Sequence, residues 1–136
     1  MKILYKYPTR DRPLKFSRCI LRYQEYAADL DNSEFIVSID EDDKIMNNSI
    51  MIENCKKLKN TSVCVGNSKS KIEAINADIP DNDWDILVLI SDDMIPEIKG
   101  FDNIIREKMK EFYPDTDSVL WFFDGWRRDL NTLCIL

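Results

Sequence analysis

The most informative segment of the sequence reads Asp85-Ile86-Leu87-Val88-Leu89-Ile90-Ser91-Asp92-Asp93-Met94. Five apolar residues run directly into two adjacent carboxylates, and so short a run is typical of a strand buried on both faces of an α/β sheet. Because a buried carboxylate is costly, we expect Asp92 and Asp93 to lie just past the strand end, at the sheet edge where ligands bind in open α/β folds. Two hard oxygen donors there suit Mg²⁺ or Mn²⁺, whereas the alternative for this dipeptide is a solvated turn.

Composition narrows the class of protein. The 136 residues are enough for one domain with its own core, and 44% apolar with 32% charged residues is typical of a soluble globular protein. The net charge of −6 argues against a protein whose main function is to grip nucleic acid by its phosphates. We expect no transmembrane segment and no secretory signal, because apolar runs are short and the first residues soon turn polar.

Cysteine and histidine content restricts the chemistry further. The four cysteines show no C-x-x-C spacing and histidine is absent, which argues against a Cys/His zinc site and removes every His-dependent mechanism. Three of the cysteines lie in apolar patterns, which predicts buried free thiols and a reducing, cytoplasmic location. A general base would have to be Asp, Glu, Lys or Tyr.

Strand and helix patterns alternate along the chain. The predicted strands are 2–7, 35–39, 61–65, 86–90 and 119–123, and the predicted helices are 14–30, one that Ser49 caps, 72–77 and 101–112. The residues expected to face inward from the helix capped by Ser49 are Ile50, Met51, Cys55 and Leu58. This β-α-β-α-β-α-β-α-β order predicts an α/β protein whose mostly parallel, Rossmann-like sheet carries helices on both faces.

Three more segments place polar residues after predicted strands. The first strand runs into Pro8-Thr9-Arg10-Asp11-Arg12-Pro13, a rigid loop whose arginines suit a phosphate or a base. The second ends in Asp40-Glu41-Asp42-Asp43, and repulsion among these acids is unfavourable unless a cation or hydrogen-bond donors lie nearby. The third runs into Gly66-Asn67-Ser68-Lys69-Ser70-Lys71, where backbone amides at a helix start and two lysines favour an anion. Two strands that both end in carboxylates favour a shared acidic site over separate solvated turns.

In order and spacing, these segments resemble those of family-2-like glycosyltransferases with the GT-A nucleotide-diphospho-sugar transferase fold. The resemblance implies a single domain, residues 1–136, that binds a nucleoside-diphosphate sugar, most often a UDP-sugar, through Mn²⁺ or Mg²⁺. It implies transfer of the sugar to an acceptor that the sequence does not identify, such as a glycan. It also implies that Asp40 binds a uracil-type base and that Asp93, in a D-x-D-like motif, is the direct metal ligand. The other nucleotide contacts that it implies are Pro8, Thr9, Arg10, Arg12, Asn67, Lys71 and Asp92.

The sequence departs from this family in two respects. Ser91 stands at the first position of the D-x-D-like motif, where the family has Asp. Family members are usually much longer, and their catalytic base and acceptor site lie in a C-terminal half. The resemblance therefore implies a donor-binding half that is short or truncated at its C-terminus, with Asp124 and Asp129 as late carboxylates to consider as the base. An exposed sheet edge in such a half would favour a homo-oligomer.

Two other functions stay open at this point. A non-catalytic nucleotide- or metal-binding module, or an inactive transferase fragment, would bind UDP with metal yet neither transfer nor hydrolyse the sugar. The segment Asp40-Glu41-Asp42 also resembles the D-x-D of Mg²⁺-dependent aspartyl phosphotransferases. In that family, however, the motif follows the first strand and precedes a Thr, whereas here it follows the second strand and precedes Asp43.

Overall fold

Strands and helices alternate through the part of the chain that the computed structural model describes, residues 1–81, 83–115 and 117–120. The elements are β1 (Ile3–Thr9), α1 (Pro13–Tyr26), β2 (Ser33–Asp40), α2 (Ser49–Lys56), β3 (Thr61–Gly66), α3 (Lys71–Asn76), β4 (Ile86–Leu89) and α4 (Phe101–Phe112). This order confirms the predicted alternation as far as the fourth helix. Most of the predicted fifth strand, 119–123, lies outside the described residues.

The four strands form one parallel sheet in the order β3-β2-β1-β4. The chain first adds β2 and β3 on one side of β1 and then crosses back to add β4 on the other side. The strand order therefore reverses between β1 and β4, which opens a crevice at the carboxyl ends of these strands. The register brings the strand ends to one edge, since Thr9 lies opposite Ile39 and Asp40 lies opposite Gly66.

The larger core lies on the sheet face that α1, α2 and α4 cover. Alternate residues of β1 point into it, and the ring of Tyr5 stacks on that of Phe35 at a centroid distance of 4.6 Å. Phe16, Ile20 and Tyr23 recur at helical spacing along α1, and all are buried against this face. The amphipathic pattern of α1 and the period-two pattern of β1 therefore meet in one apolar layer.

The opposite face carries a smaller apolar cluster around Leu4, Ile36 and Leu87. Helix α3 lies against β1, and the segment after it contributes Ile79 and Trp84 to this cluster. Helices therefore cover both faces of the sheet, as the sequence predicts. The polar part of this face lies towards the carboxyl edge.

Two helix predictions differ from the structure. Asn48, not Ser49, caps α2, because its side-chain oxygen accepts a hydrogen bond from the amide of Met51 at 3.0 Å. Ile50 is 73% exposed rather than inward, while Cys55 is buried and Met51 packs against the core. Helix α1 ends at Tyr26 instead of continuing to position 30, because Ala27 is extended with a ψ of 135°.

Three of the cysteines lie in the described part of the chain, and all three are free thiols. Cys19 and Cys55 are buried, as the sequence predicts, and Cys64 is partly exposed. Within residues 1–81, 83–115 and 117–120, no helix combines the length and the apolar character needed to cross a membrane.

Candidate functional site

A cleft of about 720 Å³ opens at the carboxyl edge of the sheet, where the strand order reverses. It is bounded by the loop after β1, the end of β2, the start of α3 and the segment after β4. The predicted site residues that line it are Pro8, Thr9, Arg10, Arg12, Asp40, Lys71 and Asp92. The two predicted site residues that do not line it are Asn67 and Asp93, which are exposed. Seven of the nine residues chosen from four separate segments thus meet in one cavity.

Asp92 lies at the floor of this cleft and is buried, with 8% of its surface exposed. Its Oδ1 accepts hydrogen bonds from the hydroxyls of Tyr7 at 2.9 Å and Thr9 at 3.1 Å. Burial raises the pKa of Tyr7 well above its ordinary value, so its hydroxyl stays protonated and donates. The expected place just past the strand is correct, but the carboxylate is buried because these two hydroxyls replace water.

Asp93 lies beside the cleft with its side chain exposed. The Ser91 hydroxyl donates to its Oδ1 at 2.5 Å, and this hydrogen bond lowers the pKa of Asp93. The charges of Lys71 and Arg12, which both line the cleft, lower the pKa further. Asp93 is therefore an ionised carboxylate at neutral pH, next to the cationic side of the cavity.

The turn that carries Asp92 and Asp93 contacts Cys19 of α1. The amide of Met94 donates to the carbonyl of Ser91 at 3.0 Å, which closes the turn. The Cys19 thiol lies 3.5 Å from the carbonyl oxygens of both residues, and burial raises the pKa of Cys19 to about 11. The thiol is therefore protonated and donates to these carbonyl oxygens.

A hard divalent cation at this edge would have few protein ligands. Among the described residues, no group of three or more Cys, Asp or Glu side chains is arranged to hold a metal ion. Asp93 would be the direct carboxylate ligand of a metal here, with water and ligand phosphates completing the coordination. This is the coordination that Mg²⁺ usually has in nucleotide sites.

Arg10 and backbone amides partly balance the acidic run that begins at the end of β2. Arg10 Nη1 donates to Asp40 Oδ2 at 2.7 Å, and its two terminal nitrogens form a fork with the carboxylate of Asp42 at 2.7 and 3.0 Å. Asp43 is buried and accepts from the backbone amides of Asp11 at 2.8 Å and Met46 at 3.2 Å. The cation and donors that the sequence requires for this run are thus Arg10 and the neighbouring backbone.

The fold of this chain is similar to that of a solved structure. The crystal structure of S. aureus TarS 1–349 matches with a TM-score of 0.65 at 14% sequence identity. The chain therefore shares its fold with part of that structure. The match covers 82% of this chain and 33% of the TarS chain, so the chain spans about a third of the length of that structure. No protein-family model matches the sequence, and no curated protein matches it.

The turn before α3 differs from the anion site that the sequence predicts. Ser70 Oγ accepts from the amide of Glu73 at 3.2 Å, and Glu73 Oε2 accepts from the amide of Lys69 at 2.6 Å. These two bonds, which resemble a capping box, satisfy amides that the sequence assigned to an anion. The cationic contribution of this wall therefore comes from the side chains of Lys69 and Lys71, both of which line the cleft.

Three residues near the cleft were not identified from the sequence. Ser38 lines the cavity two positions before Asp40, on the same side of β2, and Tyr7 supports Asp92. Lys6 is completely buried on β1, and its Nζ donates to Ser38 Oγ at 2.6 Å. Burial lowers the pKa of Lys6, against the opposing charge of Asp78. A lysine inside a predicted central strand is the signal that could have identified it.

Proposed function

We propose that this domain binds a nucleoside-diphosphate sugar, with a UDP-sugar as the preferred donor, together with Mn²⁺ or Mg²⁺. In this proposal it is the donor-binding part of a GT-A glycosyltransferase of the family-2 type, which transfers the sugar to an acceptor such as a glycan. The observation that carries the proposal is the convergence of the motif-bearing segments in one cleft at the reversal of strand order. Such crevices are the usual ligand sites of open α/β sheets.

The distribution of charge around the cleft supports a diphosphate ligand. Arg12, Lys69 and Lys71 supply cations to the cleft, while Asp92 and the neighbouring Asp93 supply carboxylates. A diphosphate with a divalent cation needs both kinds of group, because the cation requires oxygen ligands and the remaining phosphate charge requires donors. The volume of about 720 Å³ lies in the range of cavities that hold a ligand of this size.

Each group would have a distinct task. When bound, Mn²⁺ or Mg²⁺ supplies Lewis-acid stabilisation of charge that develops on the leaving diphosphate. Asp40 accepts a hydrogen bond from the base, and Arg12 and Lys71 bind phosphate oxygens. An inverting transfer also needs a carboxylate that deprotonates the acceptor hydroxyl. The late carboxylates considered for that step, Asp124 and Asp129, lie outside the described residues.

Titration calorimetry tests the proposal directly. UDP, GDP and ADP are titrated into the protein, each in the presence of Mn²⁺ and again with EDTA. We expect UDP to bind with Mn²⁺ at least about tenfold more tightly than the purine nucleotides, and to lose most of this affinity in EDTA. Absence of binding by all three nucleotides, in a protein shown by circular dichroism to be folded, would refute the proposal.

The second candidate function is a non-catalytic binding module. The observation that favours it is that the structural match covers only part of the TarS chain. The match to TarS covers only 33% of that chain. Incubation with a UDP-sugar and Mn²⁺, followed by measurement of released UDP, separates the two candidates. Release of UDP that depends on Mn²⁺ supports an enzyme, whereas tight binding without release supports a module.

Asp40→Asn is expected to weaken UDP binding by about tenfold, because the base would lose a charged hydrogen-bond acceptor. The loss should be similar with Mn²⁺ and with EDTA, since Asp40 is assigned to the base rather than the metal. Asp42→Asn is the matched control, because it also removes a carboxylate partner of Arg10. If both variants lose the same affinity, release of Arg10 explains the effect and Asp40 does not contact the base.

A further inference from the structure

The cleft wall that α3 forms has little apolar packing of its own. Helix α3 is six residues long, none of its residues is buried, and Ile72 is 72% exposed. A helix this short is unstable by itself, because its few hydrogen bonds do not offset the cost of nucleation. Nevertheless, Lys71 and Ala74 line the cleft from this helix. Contacts outside the helix must therefore fix its position.

Lys6, in the middle of the central strand β1, makes such a contact. Its Nζ donates to the backbone carbonyl of Ala77, the C-terminal cap of α3, and to Ser38 Oγ at 2.6 Å. The carboxylate of Asp78 lies 3.9 Å from the same nitrogen. One ammonium group therefore connects β1, the cleft-lining Ser38 of β2 and the end of α3.

The position of Lys6 makes a space-filling role a poor explanation. The side chain is 0% exposed, and moving an ammonium group out of water is costly. On the same side of β1, Leu4 packs in the smaller apolar cluster, and an apolar residue at position 6 would extend that cluster without this cost. The carbonyl of Ala77, the cap residue at the end of α3, accepts a charge-assisted hydrogen bond from this ammonium group.

We propose that Lys6 is a positioning residue for the ligand site. It clamps the C-terminal end of α3 to the sheet and thereby sets the cleft wall that carries Lys71. The consequence for ligand binding rests on the proposed function, whereas the clamp itself requires no ligand. The two parts can therefore be tested separately.

Amide hydrogen exchange of the ligand-free protein tests the clamp, with Lys6→Met as the variant. Met keeps an unbranched apolar stem but cannot donate hydrogen bonds. We expect amides of residues 71–77 to exchange at least about tenfold faster, the ratio implied by loss of a hydrogen bond from a charged group. Amides of β2 should keep their protection. Unchanged exchange in residues 71–77 would overturn the proposal.

Met109→Ala is the control for a general loss of stability. Met109 is a core residue of α4, on the sheet face opposite to α3. This variant should be less stable overall, but α3 should exchange as in the wild type because its local contacts are intact. Faster exchange of α3 in both variants to the same degree would mean that Lys6 acts only through overall stability, which would also overturn the proposal.

Affinity for UDP with Mn²⁺ tests the consequence for the site, at a temperature where all variants are fully folded. Lys6→Met should bind UDP at least about tenfold more weakly, while Met109→Ala should stay within about twofold of the wild type. Wild-type affinity in Lys6→Met would refute the positioning role. If the wild-type protein binds no UDP, the proposed function fails, and the exchange experiment alone decides the clamp.

Asp78→Asn provides the test if Lys6→Met does not fold. Asp78 has a φ of 61°, a left-handed conformation that Asn tolerates, so the backbone is not strained by this change. The variant removes the charge that lies 3.9 Å from Lys6 Nζ. Faster exchange of residues 71–77 supports the clamp, and unchanged exchange contradicts it.

Discussion

Asp93→Ala is expected to remove metal-dependent nucleotide binding, with UDP affinity in Mn²⁺ reduced by at least about a hundredfold. Residues that only support a metal ligand already contribute about 10- to 100-fold to metal affinity, so a direct ligand should contribute at least as much. Affinity measured in EDTA should equal that of the wild type. The free energy of unfolding should change by less than about 0.5 kcal/mol, because the side chain is exposed.

Two further variants make this test specific to Asp93. Asp115→Ala removes another exposed carboxylate that does not line the cleft, and it should leave UDP affinity unchanged. Asp92→Asn alters the neighbouring carboxylate that Tyr7 and Thr9 hold. If Asp93→Ala retains metal-dependent affinity while Asp92→Asn loses it, the direct ligand is Asp92 and the assignment of Asp93 is wrong.

The architecture followed from local patterns in the sequence. The apolar run Ile86–Ile90 is typical of a strand buried on both faces, and its place after three strand–helix units predicted a parallel sheet. The structure confirms the parallel sheet, in which β4 pairs with β1 at one end of the strand order among the described residues. The helix ends were less predictable. Leu30 packs against the core from a turn after α1. Because this apolar residue follows the apolar residues of α1 at helical spacing, the pattern predicted a longer helix than the structure has.

Most residues that line the cleft were predictable from the sequence, but their hydrogen-bond and ion-pair partners were not. Residues at strand ends were identified because parallel strands place their carboxyl ends at one edge. The contact between Arg10 and Asp42 joins segments 32 residues apart in sequence, and no local pattern specifies it. The burial of Lys6 was missed for the same reason, since its partner Ala77 lies 71 residues away. Polar pairing of this kind is specified by tertiary geometry alone.

Asp102→Ala is expected to lower the free energy of unfolding by about 3–5 kcal/mol, because it leaves a buried cation without its partner. Asp102 is 0% exposed and accepts from the amides of Ala28 at 2.8 Å and Asp29 at 2.9 Å. Arg106 Nη1 donates to it at 2.7 Å. This carboxylate therefore connects α4 to the turn that follows α1.

Urea unfolding at pH 7 measures the expected loss, and Arg106→Met controls for its origin. The double variant Asp102→Ala/Arg106→Met should be less destabilised than the sum of the two single variants, because neither charge is then left unpaired. Strict additivity of the two losses would show that the ion pair is not the source of the destabilisation.

Acid should abolish part of this stabilisation. Burial by itself raises the pKa of Asp102, but hydrogen bonds from Ala28, Arg106 and Asp29 outweigh it and hold the pKa below its ordinary value. The unfolded chain therefore binds this proton at a higher pH than the folded chain does. The stabilisation is complete above the ordinary pKa of about 3.9 and is lost as the pH falls through the lower pKa of the folded state.

The difference in stability between the wild type and Asp102→Asn isolates this effect from other carboxylates. Asn keeps the size of the side chain but does not titrate. The difference should be constant between about pH 5 and pH 7 and should shrink as the pH falls below about 4. A difference that is the same at pH 3 and pH 7 would show that the charge of Asp102 contributes nothing to the junction between α4 and the rest of the fold.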